Sequence, residues 1–353
     1  MTTAAHRKAI DKLDAEIVRL LNDRTAHVLE IGVNKSKIGQ ELYSPDRIKR
    51  LTDRLRRLNE GPISDESLRA IYREVISASL SLHRSMTVAY LGPEATYTHQ
   101  AALGRFGASL DYAPQKTIAD VFAEVTRKNA DYGVVPIENS TEGVITNTLD
   151  LFVDSDLKIV AQALMPINHC LIGKTRQSGI KRLYSHPQAL AQCRGWIQGH
   201  LPQVEVVETS STTRAAEFAA KEKASAAIAS SLAAELYRLK ILQRDIQDNV
   251  GNATRFLILG RNSPDPTGAD RTSLMFSIAH KTGALHKALE PFRRRRINMT
   301  KIESRPSKRK AWEYFFFVDI DGHEKDAKVA NALKSLSDHC SLVKVLGSYP
   351  TME

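Results

Sequence analysis

The chain has 353 residues, a formal net charge of +10, 42% hydrophobic and 25% charged residues. That length exceeds what one hydrophobic core serves, so two or three domains are expected, and the apolar-to-charged balance is that of a globular protein. No apolar run is long enough for a bilayer, and the polar stretch from Met1 to Ala15 does not have the form of a signal peptide. Cys170, Cys193 and Cys340 are too few and too scattered for a disulfide framework or a zinc site, so a reducing cytoplasm is the expected compartment, with no metal and no membrane partner.

The first eighty-odd residues read as helix. Ile10, Leu13, Ile17, Leu20 and Leu21 recur at helical spacing, Val28 and Ile31 continue the stripe, and nothing breaks it before Gly32. A second helix starts at Pro45, with Ser44 as its cap, and stops at Gly61; a third begins near Ser64 or Asp65 and runs through Ile71, Val75 and Leu82. A first helix too long to bury itself suggests an intertwined all-α homodimer or higher oligomer. From Met86 onward strand-like runs alternate with helical ones: Thr87 to Leu91, Tyr132 to Ile137, Lys158 to Met165, Lys181 to Tyr184, Val204 to Val207, Ala226 to Ala229 and Arg255 to Leu259. That alternation predicts an α/β unit with a largely parallel sheet. Asn262 to Ala269 is a linker. The remainder reads βαββαβ, a ferredoxin-like α+β plait, with strands around Leu274, Phe276 and Ile278, at Ile297 to Ser304, at Trp312 to Ile320 and at Leu342 to Leu346, and a second helix over Lys325 to Leu336.

The basic run Arg293 to Arg296, followed by Lys301, Arg305, Lys308, Arg309 and Lys310, raises nucleic acid as a partner. The run ends an amphipathic segment, Gly283 to Arg295, where cations suit a helix C-terminus, and no interleaved aromatics accompany it. Small dicarboxylate substrates account for basic pockets equally well, so no nucleic acid is expected.

Arg24 and Lys35 stand eleven residues apart, close to three turns, so they share a helix face about 16 Å apart; Arg7, seventeen residues before Arg24, is turned roughly 100° away and suits a partner's pocket. Ser79 and His83 share a face at i and i+4. A solvated cationic surface is the bland alternative for all of these. The stretches His6 to Lys35, Tyr43 to Arg47 (YSPDR) and Ile71 to His83 (IYREVISASLSLH) resemble the all-helical chorismate mutase domain. The resemblance implies that Arg24 and Lys35 bind the carboxylates of chorismate, that Arg7 reaches the neighbouring subunit's site, and that Arg47 and Ser79 line the pocket. The reaction is a pericyclic rearrangement, which needs a cationic cavity rather than a nucleophile. Ile48 stands where the family has a glutamate, and His83 where a glutamine donates to the ether oxygen. Imidazole donates from one nitrogen when neutral and from both when charged, so a mutase rate that follows His83 protonation is expected. The alternative is an inactive helical dimerisation domain.

The middle segment carries Gly92-Pro93-Glu94-Ala95-Thr96-Tyr97-Thr98 after a strand, Val135 to Gly143 (VPIENSTEG), Ser185-His186-Pro187-Gln188 leading to Gln192-Cys193, Ser210-Ser211-Thr212 and Asn252-Ala253-Thr254-Arg255-Phe256. Each is turn chemistry when taken alone. In this order at strand ends they resemble prephenate dehydratase, a two-lobed α/β fold like that of periplasmic binding proteins. Ala95 replaces a usual glycine and Thr98 a usual serine. The resemblance implies Thr254 as the essential residue, acting on the leaving hydroxyl of prephenate, with Glu138 supplying a proton and Asn139 and Gln192 beside it. Thr96, Ser211 and Thr212 are substrate-binding by the same token, and Arg255 is a candidate carboxylate anchor. His186 and Cys193 are given structural or pocket-lining roles, since no step calls for covalent catalysis.

The C-terminal plait resembles the ACT domain, with Gly283-Ala284-Leu285 and Glu303-Ser304-Arg305 at the positions that bind phenylalanine in the family. The expected organisation is therefore 1–85 mutase, 86–262 dehydratase and 271–350 regulatory domain, with chorismate, prephenate and phenylalanine as ligands and no cofactor. An amino-acid-binding regulator without catalysis is the non-enzymatic alternative; the polar cluster around Thr254 and Glu138 speaks against it.

Overall fold

The computed structural model describes residues 2–37, 41–249, 251–307 and 313–351. The N-terminal unit is α1 (Thr3–Lys37), α2 (Pro45–Leu58) and α3 (Asp65–Ser81). Pro45 and Asp46 open α2 where a missing N–H and a negative charge suit a helix start. The Ser44 hydroxyl does not cap that helix as expected; it donates to Asp46 Oδ1 at 2.6 Å instead. Ser64 does cap α3, accepting from Ser67 N. Helix α1 keeps its apolar stripe in solvent: Ile10, Leu13 and Ile17 are each more than half exposed. No described helix is long and apolar enough to cross a membrane.

The middle unit has two lobes. The first comprises β1 (Thr87–Leu91), α4 (Tyr97–Phe106), β2 (Asp111–Gln115), α5 (Ile118–Thr126), β3 (Tyr132–Asn139), the two-residue β4 (Gly143–Val144), α6 (Thr146–Phe152) and β5 (Lys158–Pro166). The second comprises β6 (Cys170–Gly173), β7 (Arg182–Ser185), α7 (Pro187–Gln192), α8 (Arg194–His200), β8 (Glu205–Glu208), α9 (Thr212–Lys221), β9 (Ser225–Ala229), α10 (Ser231–Leu236) and β10 (Lys240–Gln243). Strand β11 (Ala253–Gly260) then returns to the first lobe. The sheets run β2-β1-β3-β11-β5, with β4 on β3, and β10-β6-β9-β7-β8. Neither is largely parallel: β1 lies parallel to β2 and β3, but β11 is antiparallel to both β3 and β5, and β6 is antiparallel to both β9 and β10. The chain crosses between lobes twice, so the returning strand enters its sheet from the opposite end. The two crossings are bonded to each other through Ile167 N to Asn252 O at 2.9 Å and Ile246 N to His169 O at 3.0 Å.

The C-terminal unit is β12 (Asp270–Ser277), α11 (Ala284–Arg294), β13 (Met299–Pro306), β14 (Tyr314–Asp321), α12 (Ala327–Ser337) and β15 (Leu342–Pro350), an antiparallel sheet in the order β13-β14-β12-β15. The strand expected from Trp312 begins at Tyr314; Trp312, like Lys308, Arg309 and Lys310 of the basic run, lies outside the described residues. Arg293 and Arg294 are paired with Glu290 on their own helix at 2.7 and 2.8 Å, which accounts for part of that run locally. One sheet face packs on α11 and α12 through Leu274, Phe276, Val318 and Ile320. The other shares a core with the first lobe, where Met275, Phe317, Leu346 and Tyr349 meet Ile137 and Leu257. At Gly347 the two backbones touch: a Cβ there would stand 2.2 Å from the Ile159 carbonyl oxygen. The C-terminal unit thus covers the back of the sheet formed by β3, β11 and β5.

Candidate active sites

The three N-terminal helices enclose a cavity of about 500 Å³ lined by Arg24, Lys35, Arg47, Ile48, Ser79 and His83, so the residues expected to share a pocket do so. Arg24 Nη1 donates to Ser79 Oγ at 3.2 Å, and that hydroxyl donates to Val75 O at 2.7 Å. Lys35 Nζ donates to Glu41 O at 3.0 Å. Its pKa is lowered, burial outweighing the opposing charge of Asp46, with Arg47 adding to the effect and Glu41 resisting it. Both His83 ring nitrogens are buried without a hydrogen-bond partner among the described residues, although the ring lies on the cavity wall. Gly32 makes room for it, because a Cβ at that position would stand 1.7 Å from His83 Cδ2. Arg7 is exposed on α1 and does not line this cavity. Arg50, Arg54 and Arg57 do line it, and were not singled out in the sequence; their recurrence with Arg47 every three or four residues along α2 is the signal that marks them.

In the middle unit a chain of hydrogen bonds runs along the two crossings. Tyr97 OH lies 2.9 Å from His169 Nδ1, His169 Nε2 2.8 Å from Gln192 Oε1, and Asn252 Nδ2 donates to the same oxygen at 3.2 Å. Asn252 Oδ1 accepts from Ser140 and Thr141 at 3.4 Å. Thr141 Oγ1 also donates to Asn139 Oδ1 at 2.6 Å, and Asn139 Nδ2 donates to Thr254 Oγ1 at 2.8 Å. The Asn139 carbonyl additionally takes the Thr141 and Glu142 amides, which fixes the amide group so that its NH₂ faces Thr254. Thr254 therefore accepts one hydrogen bond, and no acceptor for its own proton is seen among the described residues. His169, buried, has its pKa lowered by that burial against the opposing bond to Gln192, which favours the neutral ring, and Tyr97 OH also donates to Asn168 O at 2.9 Å. Nothing in the sequence around His169 distinguished it; only the crossing places it.

Glu138 and Arg255 do not join this group. In the register Thr254 lies opposite Asn139 and Arg255 opposite Glu138, and successive strand residues face opposite sides. Arg255 and Glu138 point to the back of the sheet. Arg255 Nη1 is 2.8 Å from Asp319 Oδ2, its Nε lies 2.8 Å from Glu138 Oε1 off the line of its N–H, and Lys301 takes the other Glu138 oxygen. Glu138, expected as proton source, and Arg255, expected as substrate anchor, are thus placed apart from Thr254, and both are held in charge pairs with the C-terminal unit.

The remaining middle-unit residues serve helix starts. Thr96 caps α4 and donates to Leu91 O, Ser211 caps α9 with Thr212 as its first residue, and His186 caps α7. Ala95 adopts φ +60°, the left-handed conformation for which glycine is usual. Cys193 is fully buried, and burial with the nearby Asp248 pushes its thiol up to about 12, an inert group.

In the C-terminal unit Gly283 starts α11 at φ +78°. Ser277 and Arg305 are both in register with Phe315, so the ends of β12 and β13 lie level, and the Gly283-Ala284-Leu285 and Glu303-Ser304-Arg305 segments follow from the same end of the sheet. Ser304 is exposed; Arg305 turns instead to Asp150 of α6 at 3.3 Å, so its guanidinium is engaged by the middle unit.

Residues 6–84 match the family of chorismate mutase type II, residues 88–264 that of prephenate dehydratase, and residues 272–338 the ACT domain. The chain is 49% identical over 349 residues to the bifunctional chorismate mutase/prephenate dehydratase of Aquifex aeolicus (strain VF5), covering 98% of this chain and 96% of that one. The same-named protein of Neisseria gonorrhoeae (strain ATCC 700825 / FA 1090) is 43% identical over 350 residues, with the same coverage. A solved prephenate dehydratase from Arthrobacter aurescens, in complex with L-Phe, superposes with a TM-score of 0.71 at 36% identity over 75% of this chain and 90% of that one. With a cationic helical cavity, a two-lobed α/β unit and an ACT fold in one polypeptide, the chain belongs to the bifunctional chorismate mutase/prephenate dehydratases of phenylalanine biosynthesis.

Proposed function

We propose that the two reactions divide between the two described sites, with the activities spread over residues 1–85 and 86–262 and their regulation over 271–350. In the helical cavity Arg24, Lys35 and Arg47 hold the chorismate carboxylates, which favours the folded conformer in which the carbon–carbon bond forms as the ether bond breaks. His83 donates to the ether oxygen as negative charge develops there; its two unpartnered nitrogens support this. Arg7 completes the cavity of a second copy, and the exposed stripe on α1 is the surface along which two copies pair.

In the cleft, prephenate loses carbon dioxide and its ring hydroxyl. The carbon–carbon electron pair enters the ring, the carbon–oxygen pair leaves with hydroxide, and a solvent proton completes water. Thr254 donates to the departing oxygen, and Asn139, by donating to Thr254, strengthens it as a donor. Gln192, Asn252 and neutral His169 line the path without adding charge, which leaves the ring carboxylate poorly compensated and favours its loss. The observation that carries this reading is the Thr254 hydroxyl, oriented by Asn139 with its own proton unclaimed. A full-length Thr254→Val protein given chorismate is expected to accumulate prephenate, where the parent proceeds to phenylpyruvate. Phenylpyruvate at the parent rate refutes the assignment.

Phenylalanine as feedback inhibitor rests on the ACT fold and on the L-Phe bound to the Arthrobacter relative. Phenylalanine binding near Gly283 and Glu303 is expected to lower dehydratase turnover and leave a Gly283→Val protein uninhibited; an unchanged response in that variant counts against the site. The three free cysteines suit a reducing cytoplasm.

A further inference from the structure

Adjacent rungs of the β3–β11 ladder carry two different pairs. Asn139 and Thr254 bond to each other on the side of the sheet where the two crossings meet, while Glu138 and Arg255 face the C-terminal domain. The ladder itself is irregular at this point, with a register shift between Arg255 and Phe256. The bulge follows the Arg255–Glu138 rung, and on the back of the sheet charged side chains bridge the same two strands.

Those side chains form a closed group of two cations and two anions: Lys301–Glu138–Arg255–Asp319. Arg255 and Asp319 are both buried, so neither charge has water as a substitute partner. Asp319 is itself fixed by Ser273, whose hydroxyl donates to Asp319 Oδ1 at 2.5 Å and lies 2.8 Å from Tyr349 OH. Half of the group therefore belongs to the catalytic strands and half to strands β13 and β14 of the C-terminal domain. Lys301 shares a face of β13 with Glu303 and Arg305, and the Arg305–Asp150 pair is a second charged link from the same strand to the dehydratase.

We propose that Lys301 and Asp319 are positioning residues of the dehydratase: acting through Glu138 and Arg255, they fix from behind the strand pair that presents Asn139 and Thr254 to substrate. The claim rests on the reading that Thr254 faces prephenate. It makes dehydration dependent on the C-terminal domain even without phenylalanine, and it gives a displacement of β13 a direct route to the cleft. The mutase helices meet the C-terminal domain elsewhere, through α2 on β15 and Arg50 on Pro266 O, and no ion pair among the described residues joins them to Lys301, Glu138, Arg255 or Asp319, so the mutase is independent of this group.

The test uses full-length Lys301→Gln, Lys301→Arg, Asp319→Asn, Glu138→Gln and the Lys301→Gln/Glu138→Gln double variant. Each is assayed with prephenate for kcat and KM and with chorismate for mutase rate, and melted to establish folding. A misplacement near 1 Å costs about 10²-fold, so Lys301→Gln and Asp319→Asn are expected to lose on the order of ten- to a hundredfold in dehydratase kcat. KM and mutase rate stay within about twofold on the same argument. Lys301→Arg restores most of the loss, and the double variant is no worse than Glu138→Gln, because both changes act through one link. Wild-type dehydratase kcat in both Lys301→Gln and Asp319→Asn, alongside an inactive Thr254→Val protein, overturns the proposal. An active Thr254→Val protein overturns the reading beneath it instead. Should Asp319→Asn fail to melt cooperatively, the Lys301 variants on the edge strand decide, and additive losses in the double variant count against the link.

Discussion

Gly32 sits in the second-last turn of a 35-residue helix, where glycine costs about 1 kcal/mol relative to alanine. Gly32→Ala should therefore stabilise α1 by roughly that amount if nothing else is touched. Something is touched: the new Cβ would fall 1.7 Å from His83 Cδ2 and 2.1 Å from His83 Nε2. Non-bonded carbon atoms settle at about 3.5–4.0 Å, so the ring has to retreat by roughly 2 Å. Displacement on that scale takes a hydrogen-bond donor out of reach of a reacting atom, and loss of one such donor costs on the order of 10²–10³ in kcat. Gly32→Ala is expected to lower mutase kcat by about 10² and to leave prephenate turnover unchanged in the same sample, while in the melting temperature the crowding of the ring offsets the helix gain. Chorismate consumption followed by absorbance, with prephenate dehydration as the control, measures this. Gly32→Ala added to His83→Ala should cost little more, since both remove the same group. Full mutase activity in Gly32→Ala, or a further large loss in the double variant, refutes the role given to His83.

Burial lowers the Lys35 pKa, so its ammonium is lost at a lower pH than that of an ordinary lysine; mutase kcat/KM should fall early on the alkaline side, and Lys35→Arg should extend the plateau, as a pH–rate profile would report. His169 has a folded-state pKa below that of the unfolded chain, so as pH falls the unfolded chain takes up the proton first. The stabilisation is complete above the ordinary imidazole pKa of about 6.5 and is lost as pH drops through the folded value. Melting temperature between pH 8 and pH 5 should decline less in His169→Gln than in the parent, and equal slopes would contradict the assignment. Gly347→Ala forces a Cβ into the Ile159 backbone at a φ of +154° and should cost more than about 3 kcal/mol, whereas Gly199→Ala, which meets nothing within 4 Å, should be neutral or stabilising. Denaturant unfolding of the two variants provides the comparison.

Much of the fold was legible because its punctuation is local. Pro45 opens α2 and Ser64 caps α3 through their own local chemistry, although α2 stops at Leu58, before the expected Gly61, and the 3.6-residue stripe on α1 continues to Ile31 whether or not anything covers it. Strand direction was not legible, because the pairing of β11 with β3 depends on two distant chain crossings that no local pattern records. The short edge strand β2 was also missed, having a proline in place of an apolar alternation. That Arg24 and Lys35 share a face was readable from helical spacing, since eleven residues return a side chain to the same side; that they and Arg47, Ser79 and His83 form one pocket came from the resemblance. The dehydratase residues were half readable. Thr254 and Asn139 were identified with their neighbours Arg255 and Glu138 as one cluster, yet all four lie in strands, where alternation sends neighbours to opposite faces. That signal was present in the sequence once Ala253–Gly260 and Tyr132–Asn139 are taken as strands throughout. His169 carried no such signal, being a lone histidine whose partners, Tyr97 and Gln192, are 72 and 23 residues away.

The dependence of the whole account on which face of β11 meets prephenate is open to direct inspection. A crystal structure of the full-length protein with an unreactive ring dicarboxylate in place of prephenate should show the ligand's ring oxygen within hydrogen-bonding distance of Thr254 Oγ1, with Asn139 behind it and the Glu138–Arg255–Asp319 pairs intact. Density for the ligand against Glu138 or Arg255, with Thr254 uncontacted, would contradict it.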